Sequence, residues 1–153
     1  KKEDVRNFCL ISRIYSDDFD ERIFQFLIEW DPSFLLDPFV KPLHGTACNS
    51  IRGFQVVFEL CIRYYPNTLG VRLLFKIVEE HGRKEDGRWT SFRRACEVHG
   101  RDKVMKIVEN TLNNSDIPIK TVETLFLAAI DDDIHLDCVY FLLRRQPDVL
   151  VRL

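Results

Sequence analysis

Cys96 and His99 are the side chains whose types and spacing come closest to a catalytic pair. They are three residues apart, and on a helix that spacing places both on one face. Such a pair could act as nucleophile and base or supply half of a zinc site. His81 is the nearest further ligand, but a charged segment separates it from Cys96. We therefore expect Cys96 to be a packing residue, and we predict no catalytic residue and no metal site.

Asp131, Asp132 and Asp133 are the second candidate, because consecutive carboxylates could attract a cation. A calcium loop alternates its ligands and has glycine at its sixth position and glutamate at its twelfth. Here the sixth residue is Leu136. We expect a solvated turn that caps the following helix, with a binding role for this acidic edge as the alternative.

Glycine-rich phosphate loops are absent from the sequence. The chain has six glycines and contains neither G-x-x-x-x-G-K-[ST] nor G-x-G-x-x-G. It also lacks a G-x-S-x-G nucleophile elbow. We predict no cofactor.

The cysteines are odd in number and lack C-x-x-C spacing, which does not indicate a disulfide framework or a zinc ribbon. We expect free thiols in a reducing intracellular compartment, the cytoplasm or the nucleus, with an organelle reached by a removed targeting peptide left open. No apolar run approaches the roughly 18 residues of a membrane span. The five cysteines are Cys9, Cys48, Cys61, Cys96 and Cys138.

Helical periodicity dominates the chain, and clean strand alternation is rare. Apolar residues recur at steps of three and four between Phe19 and Trp30, which predicts that Trp30 is packed in the core. Proline disfavours helical geometry in the residue before it. We therefore expect helices to end near Pro32, Pro66 and Pro147.

The helices repeat. If Leu27, Leu60, Val108 and Leu142 are equivalent, the steps between them are 33, 48 and 34 residues. A period near 33 indicates a repeat protein. The longer middle step predicts an insertion near residues 71–87, containing an extra helix over residues 72–81 and a polar loop over residues 82–87.

Small-residue segments precede three of these positions by 13 residues, at Ala47, Ala95 and Ala129. We expect these alanines to lie at close helix–helix contacts. The segment PLHGTAC resembles the ankyrin signature TPLHxAA, and WTSFRRACEVHGRDKVMKIVE resembles a degenerate full unit, with Thr90 opening the turn and Gly100 near the interhelical turn. The resemblance implies a structural role for His44. The chain departs from the family pattern where its tails carry Tyr65-Pro66 and Gln146-Pro147, and we therefore expect β-hairpin fingers that are reduced or missing.

The predicted fold is therefore all-α, an ankyrin-like solenoid of about four helix pairs in one domain over residues 1–153. The approximate units are residues 5–37, 38–70, 71–118 with the insertion, and 119–153. The chain begins with Lys1 and ends in Val151 and Leu153 without a polar cap. We expect it to be a fragment of a longer chain, because the terminal unit of a repeat array needs a polar outer face.

Stacked helix pairs without catalytic motifs predict a non-catalytic protein-interaction module or scaffold. The alternatives are a permanent structural or linker subunit of a larger assembly and an enzyme that uses Cys96 and His99. Trp89 is a core plug or an exposed binding anchor, and we favour the plug. The candidate partner-binding residues are the exposed positions of the small-residue helices and their turns: Lys41, Asn49, Trp89, Arg93, Arg94, Glu97, Asp131 and Asp132.

Charge is uneven along a chain whose net charge is −2. Residues 72–106 hold ten basic and six acidic side chains, and the rest holds twelve and eighteen. This region could form a basic patch for an acidic protein segment, or it is an ordinary mixed-charge loop. The negative net charge and the acidic residues that interrupt the patch disfavour nucleic acid. These residues are Glu79, Glu80, Glu85, Asp86 and Glu97. The proposed patch consists of Arg83, Lys84, Arg88, Arg93 and Arg94.

Overall fold

A computed structural model describes residues 19–38, 40–66, 68–78, 89–115 and 120–151, and these are mostly helical, which confirms the all-α class. Two short strands, β1 (Ile77–Val78) and β2 (Trp89–Thr90), form an antiparallel ribbon. Two 3-10 helices cover Pro32–Leu36 and Pro147–Val151. The α-helices of the described residues are α1 (Glu21–Trp30), α2 (Pro42–Asn49), α3 (Ile51–Tyr64), α4 (Thr68–Phe75), α5 (Ser91–His99), α6 (Arg101–Asn113), α7 (Thr121–Ile130) and α8 (Asp137–Arg145).

Helix ends follow the prolines as predicted. Helix α1 ends one residue before Asp31-Pro32, α3 one residue before Tyr65-Pro66, and α8 one residue before Gln146-Pro147. The starts of α3 and α5 are fixed by side-chain caps. The Ser50 hydroxyl accepts a hydrogen bond from the Gly53 amide at 3.0 Å, and the Thr90 hydroxyl accepts one from the Arg93 amide at 3.1 Å, which satisfies amides that lack an intrahelical partner.

Two helix pairs, α2–α3 and α5–α6, lie side by side, so that the first helices of the two pairs are neighbours and the second helices are neighbours. Helix α2 packs against α5, and α3 packs against α6. A single residue links the helices within each pair, Ser50 in the first and Gly100 in the second. Gly100 has a φ of 89°, which a side chain would oppose and which glycine adopts freely.

The extra helix exists, but its predicted position is wrong. It is α4, which covers Thr68–Phe75 instead of residues 72–81, because the chain beyond it enters β1. Helix α4 contacts α3, α5, α7 and α8. Its residues Val71, Leu74 and Phe75 are fully buried, so this helix belongs to the core. The predicted polar loop lies outside the described residues.

The α7–α8 connection packs along the chain that leaves α4. The Ile77 amide donates to the Asp133 carbonyl at 2.7 Å, and the His135 amide donates to the Phe75 carbonyl at 3.0 Å. Lys76 and Ile134 form an antiparallel bridge beside the ribbon. This backbone pairing fixes the start of α8 relative to α4.

The predicted positions of the buried alanines are right in the second and third units and wrong in the fourth. Ala47 and Ala95 are fully buried, whereas Ala129 is exposed and Ala128 is 3% exposed. The fourth unit, which contains Ala129, has a longer connection: residues 131–136 link α7 to α8, whereas a single residue links the helices of α2–α3 and of α5–α6. Counting back 13 residues from Leu142 falls one position after the buried alanine, Ala128.

Trp30 contradicts the core prediction, because 56% of its surface is exposed. Helix α1 buries Phe24 and Ile28. At about 100° per residue, Trp30 lies far from that face. It pairs instead with exposed Phe26, with ring centroids 6.4 Å apart.

Candidate functional site

Cys96 and His99 share a helix but contact different neighbours. Cys96 is half-buried, and burial is the main cause that raises the pKa of its thiol to about 11. His99 hydrogen-bonds the Ala47 backbone on α2, and burial lowers its pKa. A thiol of this pKa is protonated near neutral pH, and thiolate is the nucleophilic form. Across the described ranges, no group of three His, Cys, Asp or Glu side chains is placed to hold a metal ion.

The acidic run forms the α7–α8 turn, as expected, but it does not cap the next helix. Asp131 forms an ion pair with Arg72 of α4, and its Oδ1 accepts a hydrogen bond from the Asp133 amide at 3.0 Å. Asp132 is exposed. The first turn of α8 is held instead by His135, whose Nδ1 accepts from the Asp137 amide at 3.1 Å. Asp131 therefore fastens the turn to α4.

Two of the predicted contact residues, Trp89 and Glu97, lie around a third, Arg94. Its guanidinium lies 5.7 Å from the Trp89 ring centroid and 2.7 Å from the Glu97 carboxylate. Hydrogen bonds to the Cys48 thiol and to Glu97 raise the pKa of Arg94. The guanidinium thus links β2, α5 and the end of α2, and the half-buried Trp89 lies beneath it.

Lys41 and Asn49 lie at the two ends of α2. Lys41 has a left-handed backbone, with a φ of 44°, at the residue before the helix. The Asn49 Nδ2 donates to the Gly45 carbonyl of its own helix at 2.9 Å. Of the proposed basic patch, Arg83, Lys84 and Arg88 lie outside the described residues.

Arg93 faces a different part of the surface, a groove of about 330 Å³ between the α5–α6 pair and α8. One wall consists of side chains from α5 and α6, and the other of side chains from α8. We call it the arginine–aromatic groove. It is lined by Phe92, Arg93, Cys96, Arg101, Met105, Asp137, Tyr140, Phe141 and Arg144.

Some charged side chains of the groove form ion pairs, and others do not. The Arg93 Nε lies 3.7 Å from an Asp137 carboxylate oxygen, and the same oxygen lies 3.3 Å from His135 Nδ1. Arg101 and Arg144 are exposed, and neither forms an ion pair with any residue that the structure describes. The groove therefore presents two guanidinium groups that a ligand could bind.

The apolar part of the groove is supported from beneath by α4. Phe75, which is fully buried, has its ring centroid 5.1 Å from that of Phe92 and 5.4 Å from that of Phe141. Tyr140, on the α8 wall, is 68% exposed. A rigid aromatic base beside an exposed ring suits an apolar anchor from a partner.

Sequence reasoning missed most of this groove. Of the predicted contact residues, only Arg93 lines it. A weak signal was present in two pairs of residues, each pair four apart and so on one helix face. Arg101 with Met105 and Arg144 with Tyr140 each combine a basic side chain with an apolar or aromatic one. The signal does not reveal that these two faces lie opposite each other, because that depends on how α8 packs.

Comparisons with models of protein families, with curated proteins and with solved structures give no match to this chain. Within the part of the chain that the structure describes, no helix is long and apolar enough to cross a membrane.

Proposed function

We propose that this chain is a non-catalytic protein-interaction module, built on ankyrin-like stacked helix pairs, that docks a partner in the arginine–aromatic groove. The stacking of α2–α3 beside α5–α6 and the period near 33 support the repeat interpretation. The observation that supports this function most directly is the composition of the groove. Exposed Tyr140 lines it together with Arg101 and Arg144, which form no ion pair with any described residue. Tyrosine and arginine are enriched among the residues that dominate protein interfaces.

A matched pair of aromatic truncations tests this proposal. Tyr140 lines the groove and is 68% exposed, whereas Phe126 on α7 is 55% exposed and does not line it. Proteins captured from native extract are quantified with wild-type chain, Tyr140→Ala and Phe126→Ala as baits. We expect Tyr140→Ala to lose partners that Phe126→Ala retains, because truncating an interface anchor costs more than about 1 kcal/mol. If Tyr140→Ala keeps every partner, the groove is not the docking site.

A permanent subunit of a larger assembly is the second candidate, and exposed apolar faces favour it. Phe26 and Trp30 are 62% and 56% exposed on α1, and Phe126 and Ile130 are 55% and 76% exposed on α7. Large contiguous apolar patches mark interaction surfaces. If this candidate is right, the isolated chain self-associates as its concentration rises, which light scattering after size-exclusion chromatography measures. Partner loss with Phe126→Ala alone would also favour it.

A further inference from the structure

The ligand chemistry of the arginine–aromatic groove follows from its charge and its shape. Its lining contains three arginines and one aspartate, a formal excess of two positive charges in a chain whose net charge is −2. Because the aspartate already pairs with Arg93, the excess is concentrated at Arg101 and Arg144. A planar guanidinium matches the geometry of a carboxylate, which it can bind through two parallel hydrogen bonds.

The groove also has an apolar lining, so a matching ligand needs apolar surface as well as negative charge. Phe92, Phe141 and Met105 offer apolar surface next to the two unpaired arginines. A volume of about 330 Å³ is at the lower end of the range for small-molecule sites, so it holds one or two side chains. A partner segment that matches both features combines a bulky apolar side chain with nearby carboxylates.

We propose that the arginine–aromatic groove binds a short acidic protein segment that inserts one aromatic or large aliphatic side chain between α5 and α8. The proposal rests on the docking function above and names its partner. The anchor packs against Phe92, Phe141 and Tyr140, while flanking Asp or Glu carboxylates pair with Arg101 and Arg144.

Fluorescent peptides test the proposal directly on the whole chain. The probe is a short peptide with a central phenylalanine flanked by glutamates, and its binding is measured by fluorescence anisotropy. One control peptide replaces the glutamates with glutamines, and a second replaces the phenylalanine with alanine. We expect the wild-type chain to bind the first peptide about tenfold more tightly than either control. Added salt should remove the difference between the first peptide and the glutamine control, because it screens exposed charges.

A charge swap identifies the arginines. The double variant Arg101→Glu and Arg144→Glu should lose the glutamate peptide by at least about tenfold and bind instead a peptide with lysines in the same positions. The matched control, Arg22→Glu with Lys106→Glu, changes net charge equally at exposed residues that do not line the groove. It should keep the wild-type preference. The gain of lysine-peptide binding shows that the swapped variant is folded.

Several results would overturn the proposal. Equal affinity for the glutamate and glutamine peptides would contradict the role of charge. Equal affinity for the phenylalanine peptide and its alanine control would contradict the role of the apolar anchor. If the chain binds a single-stranded oligonucleotide through Arg101 and Arg144 and binds no peptide, the ligand is a nucleic acid. Absence of all peptide binding, with capture still dependent on Tyr140, would refute the acidic segment and leave docking standing. Loss of both would refute docking as well.

Discussion

The Arg93 Nε atom on α5 lies 3.7 Å from the Asp137 carboxylate on α8, so the two walls of the arginine–aromatic groove meet through an ion pair. Both side chains are partly exposed, by 49% and 35%, so the pair contributes little to stability. Its larger effect is on charge, because it neutralises one of the three arginines and leaves Arg101 and Arg144 for a ligand.

Removing the Asp137 charge should strengthen the binding of acidic peptides. In Asp137→Asn, Arg93 loses its carboxylate partner and becomes a third guanidinium available to the ligand. One exposed ion pair is worth roughly 0.2–1 kcal/mol, so we expect about a threefold gain in affinity for the glutamate peptide, measured by anisotropy. Asp132→Asn makes the same charge change at an exposed residue of the α7–α8 turn. If both variants gain equally, the effect is one of net charge, and the groove geometry is not responsible.

Leucine substitutions should reveal the alanine register. Ala95 and Ala128 are 0% and 3% exposed, and overpacking a dense core typically costs about 1–3 kcal/mol. Ala95→Leu and Ala128→Leu should therefore lower the free energy of unfolding by that amount in urea denaturation. Ala129→Leu should change it by less than about 0.5 kcal/mol, since substitutions on the surface rarely do more. A larger loss at Ala129 than at Ala128 would restore the register predicted from sequence.

Local features of the fold were predictable from sequence, and non-local ones were not. Proline acts on its immediate neighbours, so the ends of α1, α3 and α8 were predicted correctly. Thr90 and Gly100 act locally too, as a cap and as a turn. The predicted register of α7 was wrong because it depends on the path of the α7–α8 connection, residues 131–136. Arg101 and Arg144 are 43 positions apart in sequence, and only the position of α8, which packs against α4 and α7, brings them to one groove.

Phe75 should link the stability of the fold to the shape of the groove. It is fully buried and contacts Phe92 and Phe141, which line the groove. Phe75→Ala should lower the free energy of unfolding by about 3–5 kcal/mol. The milder Phe75→Leu should remain folded and weaken peptide binding, because the two rings lose their support. Phe126→Ala removes an equally large side chain from the surface and should change neither quantity appreciably. Wild-type peptide affinity in folded Phe75→Leu would contradict the link.

Buried thiols should make the fold sensitive to alkali. Burial raises the pKa of Cys61 and of Cys138 to about 12, from an ordinary value of 9.0. Between pH 9 and 12 the unfolded chain releases these protons and the native chain keeps them, so stability falls as pH rises, by up to about 1.4 kcal/mol per pH unit for each thiol. Urea denaturation at several alkaline pH values measures this slope. Cys61→Ala should be less stable at neutral pH and show a shallower slope, whereas Val108→Ala, which opens a cavity without removing a thiol, should keep the wild-type slope. Parallel slopes in all three proteins would show that the Cys61 thiol is not the source of the alkaline sensitivity.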